Sequence, residues 1–267
     1  MIEGAHDAAV VVADPPEEEI HYPWGEPVPE GMRHWRQCAD VAQALKDWLQ
    51  QRPDGDRAVV CHDTLIYYTK GKLGDNVAPD VAVAFGVDAA AEHMDVYRVW
   101  EAGVMPTWVL EVASASTVRG DVNEKPALYA RLGVEEYWRS DPTTDGLLHP
   151  PLQGDHLTGT HRRPIAVTTD ADDTLRGHSD ALGLDLCWND GCLRLFDPAT
   201  GTWLLTYDDQ AQARTAAETR AAHEAARAAR EAASAAREAA AKRAAETRAE
   251  RAEAELAALR RRLDPQH

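Results

Sequence analysis

No run of about 18 consecutive apolar residues occurs in the 267-residue chain, so no segment can cross a bilayer as a helix. The N-terminal MIEGAHDAAVVVADPPEEE lacks the basic and apolar regions of a secretory signal, and the expected location is cytoplasmic. Cysteine is scarce. Cys38, Cys61, Cys187 and Cys192 are too few and too irregular for a disulfide framework, and the C-x4-C of the last two has no second pair to complete a zinc site. All four read as buried thiols. Absent too are G-x-x-x-x-G-K-[ST], G-x-G-x-x-G and G-x-S-x-G, which removes support for nucleotide-cofactor and serine-hydrolase readings. Basic residues are in deficit: 45 acids face 28 bases, for a net charge of −17. Residues 208–267 carry 11 acids and 12 bases, so the preceding 207 residues hold a net charge near −18. Such a body repels nucleic acid at long range. A DNA-acting reading therefore needs local clustering of Arg119, Lys125, Arg131 and the tail arginines.

Residues 1–30 combine Pro15, Pro16, Pro23, Pro27 and Pro29 with Glu17, Glu18 and Glu19, and read as a disordered acidic arm. From Arg33 to Gln50, Trp35, Cys38, Val41, Ala42, Leu45, Trp48 and Leu49 recur at three and four, the pattern of an amphipathic helix closed by Pro53 and Gly55. Short β-like runs follow at 57–61, 64–69, 78–86 and 107–113, enough for a mixed sheet of three or four strands. The segment 121–132 reads as a helix with Asp121 as a cap and Gly133 at C′; Pro126 belongs in its first turn, which starts the helix near Asn123 or Glu124. A strand is expected at 136–140, and a β-rich extension runs from about residue 143 to 207. Its turn signals include Asn189-Asp190-Gly191 and the stretch from Asp197 to Gly201. The last 60 residues hold 24 alanines and no glycine, with no proline before Pro265, so a single helix over 208–263 is expected. Its stripe is mostly alanine, firming at Leu256, Leu259 and Leu263, which leaves both a coiled coil and a solvated charged helix open.

Two carboxylates sit inside apolar strand patterns: Asp80 in VAPDVAVAF and Glu111 in PTWVLEVAS. Burying them is costly unless they are paired or bind a cation. Adjacent strands would let them converge on a hard ion such as Mg²⁺, with the Val112 carbonyl as a further ligand. Lys125, the only lysine between Gly74 and Ala240, could then stabilise developing charge. A plainer reading stays open: Asp80 caps a turn, Glu111 pairs with an arginine, and Lys125 is a solvated residue paired with Asp121 at i,i+4. The scattered histidines, including His161 and His178, read as solvated. Trp100, Trp108, Trp138, Trp188 and Trp203 read as core residues.

The runs APDVAVAFGV, YRVWEAG, PTWVLEVASASTVRGDVNEKPALYARLGVEEYWRSDP and LGLDLCWNDGCLRLFDPATGTWLLTYDD, with the charged alanine-rich tail, resemble the Uma-type restriction endonuclease family of the PD-(D/E)XK nuclease superfamily. The resemblance runs from Met32 to the C-terminus. It implies an α/β fold, a restriction-endonuclease-like mixed sheet flanked by helices. A nuclease-like domain would cover 31–207, with a small antiparallel β region and then the long helix. It also implies Mg²⁺-dependent hydrolysis of phosphodiester bonds in DNA, with Mn²⁺ as a substitute ion. The motif acids map to Asp80 and Glu111; the position two after Glu111 is Ala113, so the ammonium maps instead to Lys125. Ser114, Ser116, Thr117 and Arg119 would lie beside the centre as phosphate contacts, with helix capping and surface charge as their alternative. Asp63 is a candidate third carboxylate, and Asp121 a candidate partner of Lys125. No membrane partner is implied, and the tail suggests a homodimer or higher homo-oligomer. The alternative is an inactive nuclease-fold scaffold that oligomerises through that helix.

Overall fold

The structure is a computed structural model that describes residues 31–53, 55–87, 95–144 and 146–263; the arm read at 1–30 lies outside them. Two compact units divide after Tyr207. In the first, α1 (Met32–Gln50) leads into β1 (Ala58–His62), β2 (Ile66–Tyr67), β3 (Asn76–Val77), β4 (Val81–Phe85) and β5 (Tyr97–Arg98). Next come α2 (Val99–Ala102), β6 (Trp108–Val112), α3 (Val118–Asn123), α4 (Lys125–Leu132) and β7 (Glu136–Ser140). The remainder is β-rich: β8 (Leu152–Thr158), β9 (His161–Pro164), β10 (Val167–Thr169), β11 (Leu175–Ser179), β12 (Leu184–Asn189), β13 (Cys192–Asp197) and β14 (Thr202–Trp203).

The main sheet has six strands in the order β1-β4-β6-β7-β8-β9, and β6 and β7 are its parallel pair. It is wider than the sequence suggests, because β8 and β9 of the β-rich extension join its edge instead of forming a separate layer. The antiparallel β10-β11-β12-β13-β14 sheet forms the small β region, and β3-β2-β5 makes a third, three-stranded sheet.

Period-2 alternation divides the core between the two faces of the main sheet. Val81 and Val83 of β4 and Trp108, Leu110 and Val112 of β6 pack with Leu45 and Leu49 of α1 and with Leu184, Leu186, Leu193 and Leu195 of the second sheet. Ala82, Ala84 and Val109 point the other way, toward Tyr129 and Ala130 of α4 and Tyr137. Glu111 is two residues on from Val109 and so shares the α4 face.

The expected single helix over 121–132 is broken at Glu124 into α3 and α4. Pro126 has no N–H to offer the carbonyl four residues back, so it can sit only in the first turn of a new helix. This overturns Asp121 as a cap: it lies within α3 and is buried. The Asp190-Gly191 hairpin forms as expected, both residues at positive φ between β12 and β13. Cysteine burial holds for Cys38, Cys61 and Cys187, whereas Cys192 is exposed at the start of β13. Trp108 and Trp138 are fully buried, and Trp203 is exposed.

The second unit holds most of α5 (Tyr207–Leu263), a 57-residue helix without glycine or proline whose described side chains are almost all exposed. Among the described residues no helix is long and apolar enough to cross a membrane.

Candidate active site

Strand pairing brings the two unusual carboxylates together. β4 runs antiparallel to β6 with Val81 opposite Leu110, so Asp80 and Glu111 occupy the next opposed positions at the same end of the sheet. Asp80 Oδ2 accepts the Val112 N–H at 2.6 Å, which ties the carboxylate to the end of β6. From the other side, His34 Nε2 of α1 stands 3.2 Å from the same oxygen. The Asp80 side chain remains 17% exposed. Glu111, by contrast, is 2% exposed.

Three groups from α3 and α4 surround Glu111. Its Oε1 accepts the Tyr129 hydroxyl at 2.7 Å and the Lys125 ammonium at 2.9 Å. Lys125 Nζ also reaches Asp121 Oδ1 at 2.7 Å. The break at Glu124 is what allows this: Lys125 opens α4, while Asp121 stays in α3, its carbonyl accepting from Tyr137 Oη at 2.9 Å. Arg139 lies opposite Glu111 in register on β7, but its guanidinium goes to Asp155 of β8. Glu111 therefore pairs with Lys125.

The electrostatics follow from this geometry. Burial raises the Glu111 carboxyl above the ordinary carboxylate range, the Lys125 ammonium opposes the rise, and the Asp80 and Asp121 charges add to it. For Lys125, burial favours the neutral amine, yet Glu111 and Asp121 outweigh it and hold the ammonium charged. Burial, reinforced by Glu111, likewise raises the Tyr129 hydroxyl, so it stays a donor. Two buried carboxylates, Glu111 and Asp121, thus share one ammonium, with the Asp80 charge acting on Glu111 from beside them, and Asp121 Oδ2 is buried without a hydrogen-bond partner. Asp80 and Glu111, opposed at one end of the sheet, are oxygen donors of the kind a hard divalent cation such as Mg²⁺ or Mn²⁺ takes.

Other sequence candidates fall nearby or apart. Ser114 Oγ lies 3.0 Å from Ser116 Oγ and 2.9 Å from Thr117 Oγ1, and it accepts the Thr117 N–H, so these hydroxyls bond to one another at the entry to α3. Arg119 is exposed on α3. Asp63 donates its N–H to the Asp80 carbonyl at 3.1 Å, but its own side chain is exposed. Two contributors escaped the sequence reading. Tyr129 could have been found from its i,i+4 spacing to Lys125; His34 carried no signal beyond its place on α1.

A groove of about 450 Å³ opens beside this end of the sheet, lined by Arg33, Arg36 and Gln37 of α1, with Pro142, Thr144 and the Asp190-Gly191 turn among its other walls. Gln37 bridges from it to Ser140, the residue in register with Val112.

Comparison with known proteins adds three findings. The Uma2 family model, described as "Putative restriction endonuclease", matches residues 7–176. No curated protein matches. A crystal structure of "a putative nuclease belonging to DUF820" from Anabaena variabilis ATCC 29413 aligns at 13% identity and a TM-score of 0.34, covering 68% of this chain and 82% of that one.

Proposed function

This chain belongs to the Uma2 restriction endonuclease family, and from that premise we propose that it is a Mg²⁺-dependent endonuclease that hydrolyses phosphodiester bonds in DNA. The observation that carries the reading is the meeting of Asp80, Glu111, Asp121 and Lys125 at one end of β4 and β6, with more carboxylate than ammonium. Asp80, Glu111 and the Val112 carbonyl would hold the ion, which supplies a Lewis acid for the phosphate and lowers the pKa of a bound water. Lys125 stabilises charge developing on the phosphoryl oxygens, and Asp121 aims its Nζ. Tyr129 holds Glu111 in one rotamer by donating to Oε1.

The acidic body opposes DNA at long range, so the approach must be locally basic. Exposed Arg33 and Arg36 on the groove wall, and exposed Arg119 and Arg131 on the helices after β6, are the residues suited to contact phosphates. Ser114, Ser116 and Thr117 offer hydroxyls at the same end. The reading extends to self-association through α5, whose alanine-rich surface firms at exposed Leu256 and Leu259. Sedimentation of the full chain should give a dimer mass or higher; a monomer mass removes that part alone.

The central test is calorimetry with Mg²⁺ and Mn²⁺ on the parent, Asp80→Asn and Glu111→Gln, paired with plasmid cleavage. The parent should bind the ion and cut, and both variants should lose both properties. A parent that binds no ion and cuts nothing returns the chain to the scaffold reading.

A further inference from the structure

α1 brings a different kind of donor to the same carboxylate. His34 and Cys38 stand at i and i+4, one above the other on one helix face, and are 5% and 3% exposed. That face meets Asp80. His34 Nε2 is 3.2 Å from Asp80 Oδ2, and Cys38 Sγ is 3.7 Å from His34 Nδ1. Sγ, one imidazole nitrogen and one carboxylate oxygen all lie within 4.8 Å of one another.

We propose that His34, Cys38 and Asp80 form a second cation site, for a thiophilic divalent ion of the Zn²⁺ class, and that it shares Asp80 with the oxygen-lined centre. Ligands of a tetrahedral zinc at about 2.0–2.3 Å stand roughly 3.3–3.8 Å apart, so donors within 4.8 Å of one another close by up to about 1.5 Å, with the imidazole, which faces Cys38 through Nδ1 and Asp80 through Nε2, turning to offer one nitrogen to the ion. The donor chemistry separates the two sites. A thiolate and an imidazole favour zinc, whereas Mg²⁺ takes oxygen and keeps its waters. Three protein ligands leave the fourth position to water. On binding, the Cys38 S–H bond breaks, its proton passes to solvent, and the sulfur electron pair forms the metal bond; no redox partner is needed.

In a second grouping of comparable spacing, Glu136, His156 and Asp180, both oxygens of the buried carboxylate are taken up by donors of the fold. Glu136 Oε2 already accepts from Ser179 Oγ and Trp138 Nε1, and Oε1 accepts the Ala181 N–H. That carboxylate is committed to holding β7 against the second sheet.

Sharing Asp80 has a consequence that rests on the hydrolase reading: an ion held by His34 and Cys38 withdraws Asp80 from the hard-ion centre. Zn²⁺ then acts as an inhibitor that excess Mg²⁺ relieves poorly.

The test uses Co²⁺ as a spectroscopic stand-in for Zn²⁺ on the full-length parent, Cys38→Ser, His34→Gln, Glu111→Gln and Cys192→Ser. The parent, Glu111→Gln and Cys192→Ser should show a thiolate-to-cobalt charge-transfer band that saturates at one equivalent and is displaced by Zn²⁺. Cys38→Ser should abolish it, and His34→Gln should weaken binding by more than the about 10–100-fold typical of losing an outer-shell partner. No band in the parent, or a band that persists in Cys38→Ser, overturns the proposal. Zinc K-edge absorption of the loaded parent checks the same point without a variant: one sulfur at about 2.3 Å supports the site, and a shell of only nitrogen and oxygen overturns it. Plasmid cleavage in Mg²⁺ is run alongside. Absent cleavage with an intact band removes the hydrolase reading alone, and intact cleavage with no band removes the zinc site alone.

Discussion

The Val112 backbone N–H donates to Asp80 Oδ2 at 2.6 Å, so the carboxylate proposed to bind the cation also completes the hydrogen bonding at the end of β6. Charge and structural support can therefore be separated. Asp80→Asn keeps an oxygen acceptor and should unfold near the parent's midpoint while losing Mg²⁺. Asp80→Ala leaves a buried N–H unsatisfied and should cost about 1–3 kcal/mol more. Urea titrations of the two variants decide the point; equal midpoints would mean that the bond contributes nothing.

Lys125 carries the opposite balance. It is the ammonium for Glu111 and Asp121, which are 2% and 1% exposed. Lys125→Met should destabilise the fold by about 3–5 kcal/mol, because two buried carboxylates lose their partner. Adding Asp121→Asn should recover part of that stability and none of the cleavage. A Lys125→Met protein as stable as the parent would show that the carboxylates are already neutral in the folded state.

The Trp138 indole is wedged against a glycine in each of two strands, Gly154 and Gly177. A Cβ placed on Gly154 of β8 or Gly177 of β11 would fall within 2.7–2.8 Å of its indole ring. Gly177→Ala should therefore cost about 1–3 kcal/mol through overpacking, and Trp138→Phe in the same chain should relieve it. Thermal unfolding of the single and double variants tests the coupling; additive losses would contradict it.

Alkali should destabilise the folded chain. Burial pushes the Cys61 thiol up to about 12 and the Cys187 thiol up to about 11, and burial raises the Tyr97 and Tyr137 hydroxyls as well. A folded pKa above the unfolded one gives stability that is complete below the unfolded value and lost as pH rises toward the folded value. The thiol contribution is complete below the ordinary thiol pKa of 9.0, so urea midpoints should fall as pH rises above that value. A midpoint unchanged to about pH 10.5 would contradict the shifts.

Thiol reactivity gives an independent reading of the same burial. In the native protein a disulfide reagent at neutral pH should find one fast thiol per chain, Cys192, and Cys192→Ser should show none. Denaturant should expose the other three. Fast reaction of Cys61 in the native state would contradict its burial.

Much of this molecule was legible in the order of its residues. Apolar residues at three and four from Val41 to Leu49 specify α1, Asp190-Gly191 specifies the hairpin between β12 and β13, and the glycine-free, alanine-rich tail specifies α5. Asp80 and Glu111 stood out because charge inside an apolar strand is costly unless something meets it, and Lys125 because it is the only lysine between Gly74 and Ala240. These signals are local: period, turn chemistry and the expense of a misplaced charge act over a few residues. What the charges meet was decided only by the tertiary structure. Periodicity tells which face of a strand is buried but not which strand lies beside it, so the sequence could not show that β8 and β9 join the main sheet, or that Arg139 turns to Asp155 and leaves Glu111 to Lys125. His34 reaches Asp80 across 46 positions only because α1 packs on the face of the sheet where β4 begins. No short-range pattern encodes that contact, since it depends on the sum of core packing between two elements and on neither residue alone.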